Sequence, residues 1–142
     1  MSDVQYQGKI TNFWELLKEH NIVIPIIQRD YAQGSKDKEE ITDNFLNALF
    51  QSINTDTPIK LDFIYGSVED GDSQPLDGQQ RLTTLFLLHW YAAVKSQLLN
   101  KDIMNVLKKF TYETRISSRE FCNTLVLNPI QITKTIVLSS QI

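Results

Sequence analysis

Hydrophobic residues recur at helical spacing in five segments of the chain, and each of these segments predicts a helix. The predicted helices cover residues 10–20, 37–53, 82–94, 100–110 and 117–126. The segment over 82–94 differs from the others because it has almost no polar face over three turns. That distribution is typical of a central helix that is buried in the core.

Shorter runs of β-branched or alternating residues predict strands. Residues 22–27 are β-branched and compact, and Pro25 either places this strand at an edge of the sheet or ends its pairing. Residues 61–68 alternate, and a turn and a short return strand over 74–76 follow them, which indicates a hairpin. The chain is therefore predicted to be an α/β (α+β) domain, with a small mixed sheet and several helices around one buried central helix.

Composition and charge restrict the class of protein. The length of 142 residues suits one domain with a proper core, and the formal net charge is −3. A domain that bound duplex DNA by neutralising its backbone would be basic, so we expect any DNA contact to be local or made by a partner. No segment is long and apolar enough to span a membrane, and we expect a cytoplasmic location with no membrane contact. Cys122 is the only cysteine and is expected to be a small core residue.

The sequence Asp77-Gly78-Gln79-Gln80-Arg81 stands immediately before the most apolar of the predicted helices. The first N–H groups of a helix have no intrahelical acceptor, and they lie at the positive end of the helix dipole. Donors and a fixed cation at this position form a pocket for an anion, and the obvious anion is a phosphate.

A purely structural interpretation explains most of the same motif. Asp77 would be the N-cap of the helix, Gln80 would complete a capping box, and Gly78 would ease the turn from the hairpin. Arg81 is left unexplained, because a cation in the first turn opposes the dipole at a cost of about 0.3–1 kcal/mol. Arg81 therefore requires an anion, which is either a buried carboxylate or a ligand phosphate.

A second pair of the same kind, Gln28-Arg29, leaves the predicted strand over 22–27 and precedes Asp30 and Tyr31. Strand ends in open α/β sheets commonly carry ligand-binding groups, and two Gln-Arg pairs suit a bidentate phosphate clamp. The alternative is that Arg29 pairs with a surface carboxylate and that Tyr31 covers the core. His20 and His89 are expected to be structural, and the sequence contains no metal-ligand spacing, nucleophile elbow, Walker-type loop or HNH centre.

With both motifs in view, the chain resembles the N-terminal domain of GmrSD-type restriction endonucleases, a family marked by a DGQQR motif. The matching residues are 24–31, 65–67 and 77–85, with similar stretches at 112–115 and 118–121. The similarity predicts a domain over residues 1–127 and a tail over 128–142, which is either the end of a short protein or a truncated continuation. This resemblance implies a fold related to the ParB/sulfiredoxin group, in which a comparable Asp-Gly-x-x-Arg motif begins a helix and meets nucleotide phosphates.

The resemblance also implies binding and hydrolysis of a nucleoside triphosphate. In fuller relatives this domain acts beside a C-terminal HNH-type nuclease domain, in defence against modified phage DNA. That nuclease portion is absent here, so we expect no DNA cleavage from this chain alone. The nucleotide, the DNA modification, the partner chain and the oligomeric state stay open.

The motif and the resemblance together give a hypothesis for the roles of the site residues. In this hypothesis Asp77 holds Mg²⁺ or orients a water molecule, and Gln79 or Gln80 positions that water. The expected phosphate-binding residues are Gly78, Arg81, Gln28, Arg29 and Tyr31. Two alternatives remain, namely a module that binds a nucleotide or a DNA phosphodiester without turnover, and a degenerate remnant that binds nothing.

Overall fold

A computed structural model describes residues 7–25, 36–113 and 116–129. Within these ranges the helices are α1 (Phe13–Glu19), α2 (Lys36–Thr55), α3 (Gln79–Lys95), α4 (Lys101–Leu107) and α5 (Ile116–Leu127). The strands are β1 (Asn21–Ile24), β2 (Gly66–Glu69), β3 (Asp72–Pro75) and β4 (Phe110–Tyr112). Two compact units contain these elements: Ile27–Phe63 forms one unit, with α2, and the chain before and after it forms the other.

The four strands form one mixed sheet with the order β2-β3-β1-β4. β1 is parallel to both of its neighbours, with Ile22 opposite Ser73 on one side and opposite Phe110 on the other. β2 and β3 are antiparallel. This sheet with its helices confirms the predicted mixed α/β class, whereas the relationship to the ParB/sulfiredoxin group stays a prediction. None of the helices within the described ranges is long and apolar enough to cross a membrane.

Pro25 ends the pairing of β1. The strand lies between β3 and β4, so the alternative that Pro25 places it at an edge is wrong. The last paired residue is Ile24, which lies opposite Tyr112 and whose carbonyl accepts a hydrogen bond from the Glu113 N–H at 2.9 Å. Proline has no N–H to donate, so the ladder cannot continue through residue 25.

The predicted hairpin is confirmed, but its first strand is shorter than the alternation over 61–68 suggested, and its second begins earlier, at Asp72. Its two-residue turn consists of Asp70 (φ 51°) and Gly71 (φ 88°). Positive φ at both positions matches the right-handed twist of the flanking strands. Pairing ends where Gly66 faces Pro75, and a Cβ at Gly66 would lie only 2.1 Å from the Gln74 carbonyl oxygen. The strand therefore begins at Gly66 and not at residue 61, and just before it the Tyr65 carbonyl accepts hydrogen bonds from the N–H groups of Leu76 and Asp77.

Asparagine side chains begin two of the helices. The Asn12 Oδ1 accepts a hydrogen bond from the Glu15 N–H at 2.9 Å. Asn100 does the same for Ile103 at the start of α4. Each cap satisfies one N–H that would otherwise lack an acceptor.

The predicted helix over 100–110 is wrong at its C-terminal end. α4 ends at Leu107, and Phe110 begins β4, a strand that the sequence did not predict. Phe110 is buried and stacks on Phe86 with ring centroids 4.6 Å apart. A strand of three residues is too short to show an alternating pattern, so only the pairing with β1 identifies it.

The core combines residues of the sheet with residues of α1, α4, α5 and one face of α3. Leu82, Phe86 and Trp90 are buried at four-residue spacing, and the Trp90 indole N–H donates to the Leu125 carbonyl of α5 at 2.7 Å. Leu87 and Tyr91 are exposed, so α3 buries one face and not its whole circumference. The apolar composition of this helix therefore overstated its burial.

Cys122 is buried among the core residues, as predicted, and this burial raises the pKa of its thiol to about 11. The unfolded chain releases the thiol proton near the ordinary value of 9.0, so the native state binds more protons between these values. Native stability should therefore fall as the pH rises from about 9, by at most about 2–3 kcal/mol. Chemical denaturation of the wild type and Cys122→Ala at several pH values measures the difference, since the variant keeps every other titration. A pH-independent difference would contradict the prediction.

Candidate functional site

The start of α3 is set by a glycine. Gly78 is the N-cap residue and has left-handed dihedral angles, φ 80° and ψ 12°, so the capping box on Asp77 that the structural alternative offered is not formed. Asp77 lies one residue earlier, in the loop from β3, where its N–H donates to the Tyr65 carbonyl at 3.3 Å. Gly78 has no side chain to accept from the first turn, and that turn contains no acidic residue. The positive end of this helix is therefore not neutralised by its own cap.

The space around Gly78 excludes a side chain. A Cβ built on Gly78 would lie 2.7 Å from the Ile64 Cγ1 and 3.3 Å from one terminal guanidinium nitrogen of Arg81. Positive φ is also strained for residues with a Cβ. The glycine thus lets the Arg81 guanidinium lie directly against the turn.

The two glutamines of the motif have different surroundings. Gln79 is buried, and its side-chain N–H donates to the Pro75 carbonyl at 3.0 Å, which connects the first turn of α3 to the end of β3. Gln80 is exposed to solvent. The catalytic roles expected for both stay predictions, but only Gln80 presents its side chain fully at the surface.

Arg81 and Asp77 form an ion pair across one helical turn, with 3.8 Å between Nη2 and Oδ2. The Arg81 side chain is 24% exposed and that of Asp77 is 51% exposed. Ion pairs of this exposure contribute at most about 1 kcal/mol, because water screens both charges. The Asp77 carboxylate beside Arg81 is thus a half-exposed neighbour.

The second Gln-Arg motif lies outside the described residues. Gln28, Arg29 and Tyr31 have no described position, so the two-sided phosphate clamp stays a prediction. The structure therefore brings together the residues of the first motif, Asp77 to Arg81, and no more of the predicted site.

Residues 13–140 match the family model described as the GmrSD restriction endonuclease, N-terminal domain. The chain belongs to this family. Neither a curated protein nor a solved structure matches it. Membership in the GmrSD family implies a context of restriction-type defence against phage.

Two hydroxyl groups of this GmrSD-type domain adjoin the motif and were missed by the sequence analysis. The Thr83 Oγ1 lies 2.9 Å from the Gln79 carbonyl oxygen and 2.9 Å from the Tyr112 hydroxyl. Thr83 lies within residues 77–85 and Tyr112 within residues 112–115, two of the segments on which the family resemblance rests. Only the tertiary fold shows that the two residues meet, since 29 positions separate them.

The described residues contain no cluster of three or more histidine, cysteine or acidic side chains that could hold a metal ion by themselves. Asp77 supplies one half-exposed carboxylate at the start of α3. Mg²⁺ is commonly held by one or two carboxylates together with substrate phosphates, so this donor set fits Mg²⁺ only in the company of a bound phosphate. The expected metal role of Asp77 stays a prediction.

The histidines have structural surroundings. His89 Nδ1 lies 2.7 Å from the Leu85 carbonyl oxygen, and its ring stacks on Trp14 with centroids 5.9 Å apart. The backbone N–H of His20 donates to the Leu16 carbonyl and closes α1, and the His20 Nε2 lies 3.9 Å from a carboxylate oxygen of Glu19. A cavity of about 220 Å³ beside His89 is lined by residues of α1, the C-terminal half of α3 and α4. It therefore lies at the opposite end of α3 from the motif.

A comparison of glycines tests how tightly the turn at residue 78 is constrained. Gly78→Ala should lower the free energy of unfolding by about 2 kcal/mol or more, because backbone strain adds to the contact with Ile64. Gly71 also has positive φ, but a Cβ there would meet open space. Gly71→Ala should therefore lower the free energy of unfolding by about 1 kcal/mol. Gly8→Ala, also in open space, should be neutral. Urea denaturation ranks the three, and equal costs for Gly78 and Gly71 would show that the turn is not crowded.

The two glutamines should respond differently to truncation. Gln79→Ala removes the hydrogen bond to Pro75 and leaves a buried carbonyl with one donor fewer, so it should cost about 1–3 kcal/mol of stability. Gln80→Ala, at an exposed position, should change stability by less than about 0.5 kcal/mol. Denaturant titration of both variants measures the contrast. Similar small effects would mean that Gln79 does not connect α3 to β3.

Proposed function

We propose that the start of α3 binds the phosphate groups of a nucleoside triphosphate, in support of a restriction-type defence system. The composition of the first turn of α3 carries the proposal. This turn follows a glycine N-cap, contains no acidic residue and includes Arg81, whose guanidinium lies against Gly78. These residues form the motif of a GmrSD-family domain. Each of these features raises the positive potential at the same point.

Backbone geometry supplies the donors. The Leu82 N–H is bonded to the Gly78 carbonyl at 3.0 Å, which is the first hydrogen bond of the helix. The three preceding N–H groups, those of residues 79–81, therefore have no acceptor within α3. N–H groups in this arrangement recur at phosphate-binding helix termini, where the dipole adds to the hydrogen bonds.

Arg81 supplies the fixed charge. Its pair with Asp77 is half-exposed, so water already screens the attraction between these two charges. Arginine also presents a planar fork that matches two phosphate oxygens at once. In this proposal Asp77 then orients a water molecule or contributes to holding Mg²⁺ against the bound phosphates. Mg²⁺ in that setting neutralises charge on the phosphate oxygens.

Hydrolysis, if it accompanies binding, needs a group that positions water. Gln80 is the better placed of the two glutamines, because it is exposed while the Gln79 side chain is bonded to Pro75. Arg81 would neutralise charge that develops on the transferred phosphoryl group. Arg29, with Gln28 and Tyr31, keeps its role as the second phosphate-binding element of the proposal.

Membership in the GmrSD family also supports a partner. The matched model describes an N-terminal domain of a restriction endonuclease, so we propose that this chain acts with an HNH-type nuclease domain on DNA. The net charge of −3 argues against strong DNA binding by this chain's own surface. Nucleotide binding here would then control a nuclease that holds the DNA itself.

A second candidate is a sensor that binds the nucleotide without turnover. The observation that favours it is the use of Gln79 as a structural connection, which removes one of the two residues expected to position water. Release of inorganic phosphate, measured with Mg²⁺ and each of the four nucleoside triphosphates, separates the candidates. Binding without release supports the sensor, and binding with release supports the hydrolase.

Arg81→Ala should weaken nucleoside triphosphate binding about 10- to 100-fold, because it removes charged hydrogen bonds to phosphate. Isothermal titration calorimetry measures the affinity, and circular dichroism checks that the variant is folded. Lys95→Ala is the matched control, since it removes one positive charge from the last turn of the same helix and should leave the affinity unchanged.

Three results would count against the proposal. The first is an unaltered affinity in folded Arg81→Ala. The second is equal weakening by Lys95→Ala, which would show that net charge and not the site determines binding. The third is the absence of binding of all four nucleotides to the wild type.

A further inference from the structure

The hydroxyls of Thr83 and Tyr112 form a chain of hydrogen bonds that ends on the backbone carbonyl of Gln79 in the motif. Thr83 lies in the second turn of α3, and Tyr112 is the last residue of β4. Both are partly buried, and their oxygens are 2.9 Å apart. The Thr83 hydroxyl also lies 2.9 Å from the Gln79 carbonyl oxygen, one turn earlier in the helix.

The number of hydroxyl protons available fixes the direction of this series of hydrogen bonds. A carbonyl oxygen only accepts, so the single proton of the Thr83 hydroxyl is donated to Gln79. In this arrangement Thr83 offers only lone pairs to Tyr112, and the phenol is the donor between them. The order is therefore Tyr112 O–H to Thr83 O–H to the Gln79 carbonyl.

The Gln79 carbonyl belongs to the same peptide unit as the Gln80 N–H. A hydrogen bond accepted at a carbonyl polarises its amide, and successive bonds strengthen one another. The Gln80 N–H is one of the three first-turn donors with no acceptor inside α3. The hydroxyl chain therefore makes one phosphate-facing donor of the proposed site more positive.

Hydrogen bonds from the ends of two strands fix the position of the Gln79–Gln80 peptide. The Gln79 side chain is bonded to Pro75 at the end of β3, while its carbonyl is connected through Thr83 to Tyr112 at the end of β4. These strands are the two neighbours of β1 in the sheet. The first turn of α3 is thus connected to both sides of the central strand.

We infer that Thr83 and Tyr112 are positioning residues for phosphate binding, acting through the Gln79–Gln80 peptide; this inference rests on the proposed function. A threonine that bonds to the carbonyl four residues before it is common in helices and would mean little alone. What distinguishes Thr83 is the tyrosine from another element that donates to it. Thr84, the next residue, has the same side chain and no such pair, which makes it a matched control.

The test uses Tyr112→Phe and Thr83→Val, with Thr83→Ser and Thr84→Val as controls. Titration calorimetry with a nucleoside triphosphate and Mg²⁺ measures affinity, and the amide proton shift of Gln80 in the unliganded protein reports its polarisation. Tyr112→Phe and Thr83→Val should each weaken binding about 3- to 10-fold and move the Gln80 amide proton upfield. The double variant should be no weaker than Thr83→Val, while Thr83→Ser and Thr84→Val should resemble the wild type.

The two hypotheses fail in different ways. Wild-type affinity and an unmoved Gln80 amide in folded Tyr112→Phe and Thr83→Val would overturn the positioning role while leaving the proposed function intact. Equal weakening by Thr84→Val would also overturn it, since the effect would then reflect general loss of packing. If the wild type binds no nucleotide, the proposed function fails, and the Gln80 shift alone decides whether the hydroxyl chain polarises this peptide.

Discussion

The left-handed turn at Gly78 is the constraint on which the candidate site depends. It takes the chain from the end of β3 into α3 with no room for a Cβ between Ile64 and Arg81. The Gln79 side chain fixes the same turn by its hydrogen bond to Pro75. Because the cap is a glycine, the first-turn N–H groups gain no side-chain acceptor. The geometry that directs the chain is thus also the geometry that leaves a positive end exposed.

The site combines a buried support with partly exposed charged side chains. Its support is buried, through Gln79 and through Leu82 and Phe86 on the core face of α3. Its charged groups, Arg81 and Asp77, are partly exposed and paired at 3.8 Å.

Several features could be predicted from local sequence because local interactions determine them. The helical periodicity and the hairpin at Asp70-Gly71 each involve residues within a few positions of one another. The structural alternative placed the cap of α3 on Asp77, but the cap is Gly78, with left-handed dihedral angles. β4 was missed because three residues carry no period and its identity comes from pairing with β1.

The sequence by itself determined the fold class, the family and the residues of the motif, since these depend on pattern and on residue identity. Only the tertiary structure decided how the motif residues divide their roles. It buried Gln79 and exposed Gln80, placed the Asp77 carboxylate beside Arg81, and brought the Tyr112 hydroxyl to Thr83 from another strand. The physical reason is that burial and hydrogen-bond partners depend on which elements pack together, and residues far apart in sequence meet only when the sheet forms.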